Sequence, residues 1–322
     1  MKGPFADFHC DALSKLLEYP EASFTHDARL DVTLNRLREG GVALQCFAVY
    51  LSQRWGRPRM ELILSQLEQF RRKVAEASGV RPLLWREEAG DLLREAETSS
   101  SNIRGLLSLE GVDGLEGNLF YAELAYELGV RVMGLTWNYA NWAADGVLEP
   151  RGGGLTVQGR QLVDWCGQHG ILLDVSHLSE AGFWELTERA AKPLLASHSN
   201  SAAVCRHPRN LTDDQIRALI TMDGRIGLTF VPWFVREQEG SVSMEDMLPH
   251  IEQVCSLGGE RHLMFGSDYD GIEEWVRGLE HPGTYPAFAE LLLRHYPEPL
   301  VRGWMFGNAV SFLAEHLPAK PE

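Results

Sequence analysis

Cysteine is scarce and badly spaced for crosslinking. The 322-residue chain holds five, Cys10, Cys46, Cys166, Cys205 and Cys255, an odd number with no CxxC pair. That argues against a disulfide framework and fits reduced thiols in a cytoplasmic protein. Positive charge is also short. Thirty Lys and Arg face 45 Asp and Glu, a formal net charge of −15. Phosphate backbones need a basic face, so no nucleic-acid partner is expected. No apolar run approaches the roughly 20 residues of a membrane span. The opening stretch MKGPFADFHCD has no apolar signal core, so no membrane partner is expected either. Low-complexity tracts and internal repeats are missing. Gly152-Gly153-Gly154 follows no strand directly and lacks the dinucleotide-binding spacing.

What is present is an alternation of two periodicities. Apolar runs that read as strands lie at Pro4–Asp11, Ala43–Leu51, Ile103–Glu110, Val130–Trp137, Ile171–Val175, Pro193–Ala196, Arg225–Val231 and Leu263–Asp268. Helical spacing lies between and after them, at Leu34–Glu39, Met60–Ala77, Glu87–Glu97, Phe120–Leu128, Leu155–His169, Ser179–Ala191, Thr212–Ile220, Met244–Leu257, Tyr285–His295 and Pro299–His316. Ser179 and Thr212 are placed as N-caps, and Gly129 and Gly170 as stops. Leu13–Leu30 and Asn138–Gly154 read as loops. Eight strands alternating with helices predict an α/β fold, a (β/α)8 TIM barrel. It forms a single domain over residues 1–317, with a frayed tail at Pro318–Glu322. The competing architecture is a doubly wound open sheet.

Chemistry-bearing side chains gather at the ends of these runs. Two consecutive runs end in Ser-His, Ser176-His177 and Ser197-His198. Parallel strands point such residues into one crevice, and neutral imidazole is a common metal ligand. The first run ends in His9 and Asp11, the third in Glu110, and the eighth in Asp268 with Asp270 just beyond. Three histidines plus carboxylates form an N/O ligand set suited to zinc or manganese. The set is large enough for two ions with one carboxylate bridging, an arrangement that activates water for hydrolysis. Taken singly each has a plainer reading. His9 could be a core histidine, Glu110 a solvated strand end, and Asp268-Tyr269-Asp270-Gly271 a turn cluster. His26, His169, His207, His250, His262, His281, His295 and His316 read as surface residues. Arg209, on position alone, reads as a surface arginine at a helix entry.

The motifs D-F-H-C-D, L-E-G, D-V-S-H-L-S, A-S-H-S-N with H-P-R-N following, and F-G-S-D-Y-D-G occur in that order from Asp7 to about Leu313. Together they resemble the renal (membrane) dipeptidase family of metallopeptidases, in the amidohydrolase superfamily, in a bacterial-type form. The resemblance implies a barrel holding two divalent ions, zinc first, with manganese or cobalt as alternatives. It implies hydrolysis of dipeptides that carry a free C-terminal carboxylate. By residue match, His9 and Asp11 hold one metal, His177 and His198 the other, and Glu110 bridges them. Asp268 is the catalytic carboxylate, and Arg209 grips the substrate carboxylate.

These roles also make physical sense. Cations beside Asp268 would lower its pKa and keep it ionised to take and pass on a proton. A guanidinium fork matches a carboxylate bidentately. One departure concerns the fourth strand, where known members carry a histidine that helps polarise the substrate carbonyl. Here L-T-W-N places Trp137 there, an indole with a single donor and no acceptor. Trp137 and Asn138 are therefore assigned to the substrate site, with Asn138 or Asn141 as stand-ins for the missing polar group. Two other functions compete. One is a hydrolase of another small amide or lactone, such as an N-acyl amino acid. The other is a non-catalytic metal- or ligand-binding barrel. Assembly as a homodimer stays open.

Overall fold

The computed structural model describes residues 3–95, 102–237 and 240–321. Eight strands form a ring: β1 (Phe5–Asp7), β2 (Val42–Tyr50), β3 (Arg104–Glu110), β4 (Val130–Gly134), β5 (Leu172–Asp174), β6 (Leu195–Ala196), β7 (Arg225–Leu228) and β8 (Leu263–Phe265). Each pairs in parallel with the next. The ring closes from β8 to β1, where the Phe8 N–H donates to Phe265 O at 2.9 Å and the Asp268 N–H to His9 O at 3.1 Å. This is a nearly closed (β/α)8 barrel, and closure rules out the open sheet. Arg81–Pro82 adds a short parallel segment beside β3, off the ring.

The strands read as continuous apolar runs because helices cover the outside and side chains fill the inside. Phe8, Leu44, Leu106, Val132, Leu172 and Met264 form one buried cluster with the C-terminal helix. Ala309, Val310, Phe312 and Leu313 of that helix, Asn308–His316, are its contribution. Phe312 is fully buried, so truncating it to Ala should cost about 3–5 kcal/mol. The end where the strands finish stays open and carries the polar residues.

Caps fall where the sequence places them. The Ser179 hydroxyl accepts from the Gly182 N–H, Thr212 forms a capping box with Gln215, and Gly170 ends its helix at φ 73°. Other boundaries differ. β1, β4, β7 and β8 stop three or four residues before the ends expected of them, at Asp7, Gly134, Leu228 and Phe265. Past β5 and β8 the chain turns sharply, and His177, Asp268 and Asp270 adopt left-handed backbone at φ 69°, 68° and 67°. No extended strand contains such a residue. Leu13–Leu30 is not wholly irregular, because a helix covers Ala12–Glu18 and buries Ala12, Leu13 and Leu16. The helix expected over Met60–Ala77 is α only to Gln69 and continues as a widened π turn over Phe70–Glu76. The helix expected over Glu87–Glu97 is observed as Arg86–Glu95, and its last two residues lie outside the described residues. After the last helix, Pro318 O accepts from the Arg86 N–H and the Lys320 N–H donates to Glu87.

Candidate active site

His9, Asp11, Glu110, His177, His198 and Asp268 converge at the open mouth of the barrel. His9 Nε2 lies 3.5 Å from Asp11 Oδ2, 3.5 Å from Glu110 Oε2 and 3.7 Å from Asp268 Oδ1. The other Glu110 oxygen, Oε1, lies 2.8 Å from His177 Nε2 and 3.6 Å from His198 Nε2. Glu110 thus turns one oxygen to each group. The His177 and His198 Nε2 atoms are only 2.9 Å apart. Gly271 permits this crowding, because a Cβ there would collide with the carboxylate oxygens of both Asp11 and Asp268.

Left-handed backbone at His177 and Asp268 costs about 1–3 kcal/mol each and is held by its surroundings. The His177 carbonyl accepts from the Val147 N–H at 2.7 Å, from the loop Asn138–Gly154. Below Asp268, the Asp7 carboxylate accepts from the Ser267 N–H at 2.9 Å, the Ser267 hydroxyl at 2.7 Å and the Tyr285 hydroxyl at 2.8 Å. Asp270 belongs to the scaffold. Its two oxygens accept from the Asp31 and Val32 N–H groups at 2.7 and 3.0 Å.

The donor set fits divalent metal on its own chemistry. His9 Nε2 and Asp11 Oδ1 are buried with no hydrogen-bond partner. Buried polar atoms are rarely left so unless they serve an ion, a ligand or water. His9, Asp11 and Asp268 can bring one ligand atom each within 4.8 Å of one another, and so can His9, Glu110 and His198.

Charges among these groups oppose one another. Burial pushes the Asp268 carboxyl up, Asp11 and Glu110 add to this, and His9 and Arg209 oppose it, leaving it at about 8. Its ionisation at neutral pH therefore depends on added positive charge. Burial works against charging His9, yet Glu110 and Asp11 hold its imidazole well above the usual range. Burial, with Arg209 adding to it, lowers His177 to about 4. Burial, with His9 and Arg209 adding to it, holds His198 well below its ordinary value.

A cavity of about 610 Å³ opens above these groups, lined by Asp11, Glu110, Tyr50, Trp137, Arg209 and Asp268 among others. Arg209 is buried, not a surface residue. Its guanidinium donates to His198 O at 3.1 Å and Ser199 Oγ at 3.4 Å, while its Nε has no partner. No carboxylate pairs with it among the described residues, so a buried cation faces the cavity wanting an anion. The Trp137 ring packs 5.4 Å from Tyr50 and 6.1 Å from His177, as one wall. Asn138 lines the cavity too, but its side-chain oxygen is taken by His177 Nδ1 at 2.8 Å. Asn141 is committed to its own loop, donating to Asp113 and Leu135 and accepting from the Ala143 and Ala144 N–H groups. Asn141 is thus not free to replace a fourth-strand histidine, and the Asn138 oxygen is already used.

Sequence reasoning missed the polar layer beneath the site. Asp174 and Ser197 sit directly under His198, and Asp7 and Ser267 under His9 and Asp268. A signal existed, since Asp174 lies three residues before His177 and Ser197 immediately before His198. His250 was misplaced at the surface. It is fully buried, accepting from the Ser201 N–H at 3.1 Å and donating to Val235 O at 2.9 Å. It lies on the inner face of the helix Leu248–Ser256, which a count of helical positions places beside Ile251 and Val254.

A sequence profile of the membrane dipeptidase family, peptidase family M19, matches residues 1–318. Dipeptidase aclJ of Aspergillus oryzae is 30% identical over 314 residues, covering 91% of this chain and 72% of that protein. Dipeptidase 3 of Macaca fascicularis is 27% identical over 321 residues, 95% of this chain and 63% of its own length. Among solved structures, the metallopeptidase "dipeptidase AC" of family M19 superposes with a TM-score of 0.89 at 28% identity, over 99% of this chain and 100% of its own. A metallopeptidase of Rhodobacter sphaeroides, bound to a phosphinate mimic of the dipeptide L-Ala-D-Ala, gives 0.88 at 27% identity, over 98% and 100%. The barrel, its mouth and these matches together place the chain in the membrane dipeptidase family, peptidase family M19, as a hydrolase of the metallopeptidase kind.

Proposed function

We propose that this chain is a dipeptidase working with two divalent metals, zinc foremost and manganese or cobalt next, on dipeptides with a free C-terminal carboxylate. The observation that carries the reading is the split use of Glu110, one oxygen toward His9 and the other toward His177 and His198. His9 and Asp11 would hold one ion, His177 and His198 the other, and Glu110 would bridge. Ions in that cradle supply Lewis acidity, polarising a carbonyl and making water a nucleophile near neutral pH. Arg209 takes the substrate's terminal carboxylate through its unpaired Nε face. Trp137 and Tyr50 wall the cavity and keep the scissile bond from bulk water. Asp268 accepts a proton from the attacking water and returns it to the leaving amine, 3.7 Å from His9.

No helix among the described residues is long and apolar enough to cross a membrane. The five cysteines are unpaired, which favours a reducing, cytoplasmic setting. The test is to strip the protein with chelator, reload it with two equivalents of zinc, and assay matched panels. Free dipeptides should be cleaved, D-residues included in the panel, while N-acyl amino acids and lactones should lag by at least tenfold. Full activity after chelation, or a preference for acyl amino acids, would reject the proposal.

A further inference from the structure

The two imidazoles at the ends of β5 and β6 are each held by groups that lie behind them, away from the other ligands. His177 Nδ1 lies 2.8 Å from Asn138 Oδ1. An amide oxygen only accepts, so Nδ1 carries the proton. His198 Nδ1 lies 2.7 Å from Ser197 Oγ. That hydroxyl has one proton, and it is donated to Asp174 Oδ2. Ser197 Oγ must therefore accept from His198, and Nδ1 again carries the proton. Asp174 is itself fixed, because its Oδ1 accepts from the Ser176 and Ser197 N–H groups at 2.9 Å each. Asp174, Ser176 and Ser197 are all buried, so water does not compete for these bonds.

The consequence appears on the far side of both rings. A neutral imidazole protonated at Nδ1 presents a bare lone pair at Nε2. Two such lone pairs face each other at 2.9 Å, with the Glu110 carboxylate oxygen 2.8 and 3.6 Å away. Three acceptors with no donor among them repel, and a cation between them turns that repulsion into attraction.

We propose that Asn138 and the Asp174–Ser197 pair are positioning residues that fix the tautomers of His177 and His198 and so make this flank of the mouth a cation site. The inference deepens the two-metal reading and rests on it. It also gives Asn138 a different task from contacting substrate. The two supports are unequal, since a buried aspartate side chain that accepts from two backbone N–H groups stands behind His198 through a hydroxyl, and a single amide behind His177. The Asp174 side should hold the ring more firmly.

The experiment uses the full chain, with metal competition against a chromophoric chelator and the absorption spectrum of the cobalt(II)-loaded protein. Asn138→Leu and Ser197→Ala should each weaken one of two bound ions by about 10- to 100-fold, the usual scale for losing an outer partner of a ligating histidine. The other ion should keep its affinity, and the cobalt bands should shift. Asn138→Asp retains an acceptor oxygen and should restore binding where Asn138→Leu loses it. A packing role alone would lower stability without moving the cobalt spectrum. The two variants lie on different loops, so one that fails to fold leaves the other decisive. If wild type takes up two ions and both variants match it in affinity and spectrum, this inference is overturned while the dipeptidase reading stands. If wild type itself takes up fewer than two, both fall.

Discussion

The two flanks of the mouth rest on the same device and present opposite chemistry. On one side Asp7 closes β1, and it accepts from the N–H and hydroxyl of Ser267 and from the His9 N–H. On the other Asp174 closes β5, and it accepts from the N–H and hydroxyl of Ser197 and from the Ser176 N–H. Each time a buried aspartate on one strand clasps a serine at the end of its neighbour, and the residue after that serine enters the site. Above the first clasp that residue is Asp268, so one imidazole stands among three carboxylates. Above the second it is His198, so two imidazoles meet one carboxylate edge. The comparison separates support from function. The clasp sets where the next side chain points, and the identity of that side chain decides whether the flank gathers protons or excludes them. His9 is held above its ordinary pKa and His177 and His198 below theirs.

Breaking each flank in turn should therefore give different losses. His198→Ala removes a ligand outright from the imidazole flank. Metal content by elemental analysis should fall from two ions to one, with kcat reduced well beyond the roughly 100-fold that outer-partner losses bring. Two ions and near-normal turnover in this variant would end the two-metal proposal. Asp268→Asn strikes the carboxylate flank while keeping size. It should lower kcat by about 100-fold or more, the scale of general-base loss, with metal content unchanged. Loss of metal together with activity would make Asp268 a ligand instead of a proton carrier.

The flanks were not equally legible in the sequence. Eight apolar runs with helical spacing between them foretold the barrel, because strands covered on both faces must be apolar throughout. His177 and His198 stood out because each closes such a run with the same dipeptide. The ends of β1, β4, β7 and β8 fall short of those expected, since hydrophobicity continues past the last paired residue of each strand. Arg209 looked like a surface residue, because nothing local shows that Phe234, 5.6 Å from its guanidinium, and the chain around His198 bury it. Asp7 and Asp174 stand inside the expected runs Pro4–Asp11 and Ile171–Val175, where nothing local marks out their partners. Only the serine of the neighbouring strand, Ser267 or Ser197, shows what each carboxylate clasps.

Arg209 sharpens the comparison from the imidazole side, where it donates to His198 O. Arg209→Met should raise KM for free dipeptides, with a loss of about 1.5–3 kcal/mol from a charge-assisted contact. Amide-capped dipeptides, which lack the anion, should lose much less. Equal losses on both substrates would show that the arginine only holds the His198 loop.

The smallest effect, and the most direct probe of the opposed charges, is the pH dependence of the metal-free protein. Asp268 stands at about 8 in the folded chain against an ordinary 3.8, so the folded state binds the extra proton between those values. Its contribution to stability is full below pH 3.8 and is lost as pH rises through about 8. Asp270, also at about 8, acts in the same direction. His177 has the opposite sign, since its folded value of about 4 lies below the ordinary 6.5 and its contribution grows with pH between the two. The opposing slopes offset one another in part up to pH 6.5, and above it the falling slopes remain, those of the two carboxyls and that of His9, whose imidazole is held above its ordinary value. Chelated protein should therefore lose Tm between pH 6.5 and 8, and Asp268→Asn should flatten part of that fall, leaving the shares of Asp270 and His9. Zinc should flatten it further in wild type, because added positive charge keeps Asp268 ionised throughout. A chelated wild type with level Tm across this window, or an Asn variant that falls as steeply, would mean that the carboxylate flank does not hold its protons as the geometry requires.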